Sequence, residues 1–268
     1  MDLGLRSPFL DFFRRGEVAK DVRLLAARGA LAPRALEQIA LLALLTEDAD
    51  VDVRGTAEAT LAVIPNDSLA AFLGRSDVPE LLRDFFRARG IEPNMQEAAV
   101  ADDPLIDAEA ERGETAEAGA DAFGPGDDEA ARQSASERLA QLNVAERLKC
   151  AMKGTKEERA VLIRDPNKLV SVSVLSSPKL SESEVESFSK MANVSEEVLR
   201  IIGMSRGWTK NYGVIVGLTK NPKTPLAISL KFVQRLNDRD LKVVALDRNL
   251  QEPLKLAVKK RLQGGDKE

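Results

Sequence analysis

The sequence predicts an all-α protein: two helical modules joined by a disordered acidic linker, the C-terminal module a stack of helical hairpins. Three observations carry that expectation. The first is a near-repeat after about 44 residues in the C-terminal half. Ser177-Pro178-Lys179 opens an apolar-periodic run through Phe188 and Ala192, broken at Asn193/Ser195 and resumed at Val198, Ile201 and Ile202. Asn221-Pro222-Lys223-Thr224-Pro225 opens a second run through Phe232 and Leu236, broken at Asn237/Asp238 and resumed at Leu241, Val243 and Val244. Two helices per unit at a fixed period is the pattern of stacked α-repeats. The second is composition: 44% of the 268 residues are hydrophobic but only 4% aromatic, which suits thin layers of Leu, Val, Ala and Ile. The third is a shift in composition between two flanking helical patterns.

The N-terminal module is read as residues 1–96. Candidate helices run near 17–28, 34–46, 51–63, 67–73 and 77–89. Pro33 stands at a helix start, Pro65-Asn66-Asp67 makes a break, and Gly90 follows Arg89 as a stop. The shift falls at residues 97–135, where twelve acidic residues stand against Arg112 and Arg132. Rich in Ala and Gly, with Phe123 its only aromatic, this stretch has too little apolar surface to offset the entropy of ordering it. It is read as an acidic disordered linker.

The C-terminal module is read as residues 136–264. Gly154 is placed to stop a helix carrying Val144, Leu148, Ala151 and Met152. Thr155-Lys156-Glu157-Glu158 and Ser181-Glu182-Ser183-Glu184 have capping-box spacing, in which the hydroxyl takes the third helical amide and the acid reaches back. Thr224-Pro225 sets a capping hydroxyl before a proline whose missing N–H is no loss in a first turn. Val172–Pro178 and Ile215–Pro222 are β-branched and by propensity alone would be strands. With helical neighbours and no strand partner, they are read as short buried helices. Gly264-Gly265 is expected to end the last helix.

Two motifs carry a family likeness. Asp48-Ala49-Asp50-Val51-Asp52-Val53-Arg54 followed by Ala57 and Leu61 resembles the opening of the second helix in HEAT-type repeats. Asn-Pro-Lys-Thr-Pro at 221–225 and Asn-Asp-Arg-Asp-Leu at 237–241 make residues 219–262 resemble the leucine-rich-repeat variant proteins, a bacterial group of stacked helical units. The likeness covers about 165–262 and implies an architecture, with no catalytic residues.

Composition also limits the chemistry. The chain has no histidine, so the usual neutral-pH general base and commonest zinc ligand are absent. Carboxylates cluster only in the linker, where fixed spacing for acid/base work is not expected. No phosphate-cradling glycine pattern occurs. The expectation is therefore a non-enzyme without cofactor or metal. The lone Cys150, the lack of a basic-then-apolar leader and the absence of a spanning apolar run together indicate a cytoplasmic protein.

Charge gives the functional hint. Residues 1–96 carry net −3, the linker −10 and residues 136–268 net +9. A basic helical module can hold an acidic protein partner or nucleic acid, and the acidic stretch can compete for that surface in cis. Equally, the excess can be a solvated surface with no partner. Within it, Arg206, Trp208, Lys210, Tyr212, Lys220 and Lys223 are the candidate binding residues. The only Trp and only Tyr stand four apart, so one helix would present them on one face with cations between. The structural alternative has Trp208 filling an inter-helix groove and Tyr212 half-buried against the next repeat. Lys259, Lys260 and Arg261 suit a helix C-terminus. The leading expectation is a protein-binding scaffold acting through its repeat surface, and the second is nucleic-acid binding by the basic module.

Overall fold

A computed structural model describes residues 3–5, 7–32, 34–95, 102–106 and 128–265, with main chain only at 128–132 and 264–265. Sixteen α-helices and short 3₁₀ turns account for the regular structure among these residues. The helices divide into two units: residues 1–155 with 176–178, and residues 156–175 with 179–268.

The first unit contains α1 (Pro8–Arg14), α2 (Lys20–Ala27), α3 (Ala35–Leu45), α4 (Val51–Val63), α5 (Asn66–Leu73), α6 (Glu80–Arg87), α7 (Asp128–Ala140) and α8 (Val144–Lys153). Its centre is α3. Ile39 to Leu45 reads as an unbroken apolar run because the helix is covered on several sides, by α1, α2, α4 and α6. Gly16, Gly29 and Gly90 each take a positive φ just past α1, α2 and α6. There the residue after the glycine donates back to a carbonyl five residues earlier, as in Glu17 to Phe12 and Ile91 to Phe86. The acidic turn before α4 works locally. Asp50 caps the Asp52 amide, and Asp48 pairs with Arg23 while Asp50 and Asp52 pair with Lys20, joining α2 to α4. The predicted pattern does not include α1, whose Phe9, Leu10, Phe12 and Phe13 bury on one short helix opened by Pro8.

The linker boundaries differ from expectation at both ends. Residues 102–106 lie against α3, and α7 already begins at Asp128. The remainder of the predicted linker, 97–101 and 107–127, lies outside the described residues, as does Pro33.

The second unit contains α9 (Lys156–Leu162), α10 (Lys168–Ser173), α11 (Glu182–Lys190), α12 (Glu196–Met204), α13 (Tyr212–Lys220), α14 (Leu226–Val233), α15 (Asp238–Leu246) and α16 (Glu252–Gly265). They stack in two rows. One row runs α9, α11, α13, α15 and the other α10, α12, α14, α16, each helix touching its neighbours along the row. Val172–Ser176 and Ile215–Lys220 are helical, as expected.

Successive equivalent helices start at 156, 182, 212 and 238 in one row and at 168, 196, 226 and 252 in the other. The structural unit is thus a helix pair of about 26–30 residues and not about 44. The 44-residue match superposes α11 on α14, which belong to opposite rows and share only the generic pattern of a short, half-buried helix. Of the caps read from spacing, Ser181 forms a complete capping box with Glu184; Asn143 forms another with Glu146, and Asn167, Ser195, Asn211 and Asn237 cap singly. One detail departs from the reading. Thr224 does not cap α14; Pro225 occupies that position, and the Thr224 hydroxyl is buried without a hydrogen-bond partner. Among the described residues α16 ends at Gly265, where the glycine pair is expected to end it.

The tightest approach in the stack is between α11 and α13. A Cβ at Gly217 would stand 2.1 Å from Ser189 Oγ, and one at Gly213 would stand 2.3 Å from the Glu186 carboxyl carbon. The glycines let the two helices close on each other.

Candidate interaction surface

The candidate residues gather around α13, whose nine residues span about 13 Å at 1.5 Å per residue. At its N-terminal end, α12 stops at Met204 and the chain makes a 3₁₀ turn over Trp208–Lys210 before α13 starts. Asn211 caps α13 by accepting the Gly213 amide at 2.8 Å. Trp208 and Tyr212 are therefore separated by a helix boundary and do not share one helical face. The capping preference of Asn211 overrides the four-residue spacing. The turn is pinned from below: the Thr209 hydroxyl donates to the Ser205 carbonyl at 2.7 Å, and Arg235 donates to the Thr209 carbonyl at 2.8 Å. Arg206 and Lys210 point to solvent on either side of a half-buried Trp208.

Tyr212 and Lys220 have a different role. The Tyr212 hydroxyl donates to Asp240 Oδ2 at 2.8 Å and accepts the Asn237 amide at 3.1 Å, while Lys220 Nζ lies 2.8 Å from Asp240 Oδ1. Both residues thus clasp the start of α15 to α13. The Lys220 ammonium holds the Asp240 carboxyl below the usual carboxylate range, and the Tyr212 hydroxyl adds to this against the opposing effect of burial. In turn, partial burial and the Asp240 charge raise the Tyr212 hydroxyl. Tyr212, 39% exposed, thus meets the next helix pair through its hydroxyl, and Asp240 engages both that hydroxyl and the Lys220 ammonium.

Lys223 sits beyond the other end of α13, exposed at the edge of an open cleft of about 430 Å³ lined also by Ser195, Glu196, Thr224 and Gln251. The six residues accordingly form three sets: a solvent-facing turn (Arg206, Trp208, Lys210), a clasp (Tyr212, Lys220) and a cleft edge (Lys223). Among the described residues no group of three or more acidic or cysteine side chains is arranged to hold a metal ion.

Three structural residues in this unit escape sequence reasoning. Asn221, buried at the end of α13, donates to the Ser189 and Met191 carbonyls at 2.9 and 3.0 Å and so satisfies the C-terminal end of α11. Arg159 and Glu184 form a buried pair between α9 and α11, with Nε to Oε1 at 2.9 Å and Nη2 to Oε2 at 3.0 Å. Burial alone would raise the Glu184 carboxyl, but the Arg159 guanidinium and the Ser181 amide and hydroxyl hold it below its ordinary range.

Cations and carboxylates are used unequally. Glu186 pairs with Lys190, Glu197 with Arg200, Asp240 with Lys220 and Glu252 with Lys255. Arg206, Lys210, Lys223, Lys231, Arg239 and Lys242 are exposed and make no ion pair among the described residues. No family model, curated protein or solved structure matches the chain. Among the described residues no helix is long and apolar enough to cross a membrane.

Proposed function

We propose that the second unit is a non-catalytic scaffold, a helical repeat of the HEAT-like or leucine-rich-repeat variant kind that holds an acidic protein partner in the cytoplasm. The observation that carries this reading is, among the described residues, an excess of solvent-facing cations without an ion pair (Arg206, Lys210, Lys223, Lys231, Arg239 and Lys242) over exposed carboxylates without one (Glu182, Glu196 and Asp238) on a two-row helical stack. Repeat stacks present extended surfaces, and an excess of one sign of charge on a surface favours partners of the other. The lack of histidine and the commitment of Tyr212 and Lys220 to α15 favour binding over catalysis.

The test uses the full chain as bait in lysate, with and without nuclease and at two salt concentrations, beside the variant Arg206→Glu/Lys210→Glu/Lys223→Glu. The expected result is a discrete protein, retained after nuclease treatment and lost from the variant. A protein captured equally by the variant overturns the cation surface. A signal removed by nuclease and falling steeply with salt assigns the same cations to nucleic acid instead.

A further inference from the structure

The first unit carries a binding groove that its own chain fills. Residues 102–106 (Asp-Asp-Pro-Leu-Ile) lie against the start of α3, bent at Asp103 and Leu105 and held at two ends. At the first end, the Asp102 carbonyl accepts the Ala35 amide, one of the unpaired donors of the first turn of α3, at 3.0 Å. The Asp102 carboxylate lies 3.0 Å from Arg75 Nη1 and 4.0 Å from Arg34 Nε. At the other end, the Gln38 side chain reads the main chain of Ile106 in both directions. Gln38 Nε2 donates to the Ile106 carbonyl at 2.8 Å, and Gln38 Oε1 accepts the Ile106 amide at 3.1 Å. The Ile106 side chain lies over Gly29, where a Cβ would stand 3.3 Å from Ile106 Cγ2.

The reading groups are held by contacts that do not involve this segment. Arg75 is gripped by Asp77 through Nε to Oδ1 at 2.9 Å and Nη2 to Oδ2 at 2.6 Å, which leaves Nη1 facing Asp102. Gln38 is 1% exposed and also donates to the Gly29 carbonyl at 2.9 Å. Gly29 in turn is fixed with φ +77° at the end of α2. A buried amide that pairs with both main-chain groups of one residue resembles a strand pairing and is indifferent to that residue's side chain. The segment it holds is only half-buried along its length, with Asp103 exposed. The groups that read the segment have partners outside it, so the site is in part preorganised.

We propose that this groove, formed by Arg34, Arg75, Gln38, Gly29 and the start of α3, is a recognition site for short protein segments that can take the bent path of residues 102–106. Its ligand has an acidic residue, then a branched apolar residue four positions on, and residues 102–106 occupy it in cis. The partner is a protein presenting a segment of that chemistry, which must displace the resident one. Arg75 reads the acid, Gln38 reads the main chain, and the Gly29 turn admits the apolar side chain.

The experiment measures fluorescence anisotropy of a labelled peptide spanning residues 100–108 with the full chain, and with a full chain whose residues 102–106 are replaced by Gly and Ser. The replaced chain should bind the peptide at least ~10-fold more tightly than the natural chain, because its groove is empty. Adding Arg75→Ala to it, or changing the peptide's Asp102→Ala, should weaken binding at least ~10-fold. A replaced chain with unchanged circular dichroism that binds no better than the natural chain overturns the proposal, as does equal binding by the Arg75→Ala version. If the replacement unfolds the unit, Asp102→Ala in the otherwise natural chain releases one end alone. It should then raise affinity for the natural peptide, and no rise overturns the proposal.

Discussion

Replacing Arg159 by Met tests whether the α9–α11 junction is held by charge. The guanidinium and the Glu184 carboxylate are each 5% exposed, so solvent screening does little to weaken the pair. In Arg159→Met the methylene volume is roughly kept, but Glu184 stays buried with only the Ser181 hydroxyl and amide as donors. Removing one partner of a buried pair costs about 3–5 kcal/mol, because the surviving charge is left uncompensated. The lower end is expected here, since the capping box still supplies those two donors. With a urea m-value of about 1–3 kcal/mol/M, a loss of about 3 kcal/mol moves the midpoint of this unit down by about 1–3 M. Glu184→Gln retains capping-box geometry without the charge. Added to Arg159→Met, it should therefore restore part of the loss. The assay is urea denaturation of the full chain followed by circular dichroism, with Trp208 fluorescence reporting on the second unit. If Arg159→Met costs under about 1 kcal/mol, or the double variant is less stable than Arg159→Met alone, the pair is not an electrostatic brace.

The same pair fixes a pH dependence. The Glu184 carboxyl is depressed in the folded chain, so its contribution is fully present above the unfolded carboxylate value of about 4.3 and is lost as pH falls through the lower folded value. The stability gap between the natural chain and Glu184→Gln should be constant from pH 7 to about 5 and close below about 4, as read by denaturation across that range. Gly217→Ala drives a Cβ to 2.1 Å from Ser189 Oγ and 3.1 Å from Ser189 Cβ, so α11 and α13 must separate. A loss of about 1–2 kcal/mol is expected after the helix-propensity gain, whereas Gly213→Ala, facing the swinging end of Glu186, should be within about 0.5 kcal/mol of neutral in the same denaturation assay. Asn221→Ala leaves the Ser189 and Met191 carbonyls without their side-chain donor and should cost about 2–3 kcal/mol, with faster amide exchange at the end of α11.

What the sequence made legible is what is local. The helix start written as Ser with an acid three residues on, at Ser181, appears as a complete capping box because the interaction spans a single turn. The α3 run is equally plain, since an apolar stretch flanked by polar residues has few other homes. Phase along the stack was not legible. Helices of both rows are short and apolar on one side, so α11 aligns with α14 as readily as with α13. Long-range pairings were invisible for the same reason: Arg159 meets Glu184 across 25 residues, Asn221 meets Ser189 across 32 and Gln38 meets Ile106 across 68. Nothing in the residue type announces them. Trp208 and Tyr212 show how one local rule can defeat another, because the four-residue spacing matters only on an unbroken helix and Asn211 breaks it.

The division of charge in the second unit separates what holds the stack from what can face a partner. In a repeat stack, stability is close to a sum of each unit's own energy and its nearest-neighbour interfaces. Those interfaces use Glu184 with Arg159, and Asp240 with Tyr212 and Lys220, together with the buried Asn221 amide and the glycine contact of α13 on α11. Arg206, Lys210 and Lys223 belong to none of them. Exposed charges without a close partner contribute little to folding, within about 0.5 kcal/mol for a typical surface substitution. Reversing these three should therefore leave the unfolding midpoint nearly unchanged while removing an acidic partner. Lys220→Glu, by contrast, places a carboxylate against Asp240 and should lower the midpoint whether or not a partner is bound. That contrast, measured in one denaturation series and one binding series on the same variants, distinguishes a recognition surface from a merely solvated one.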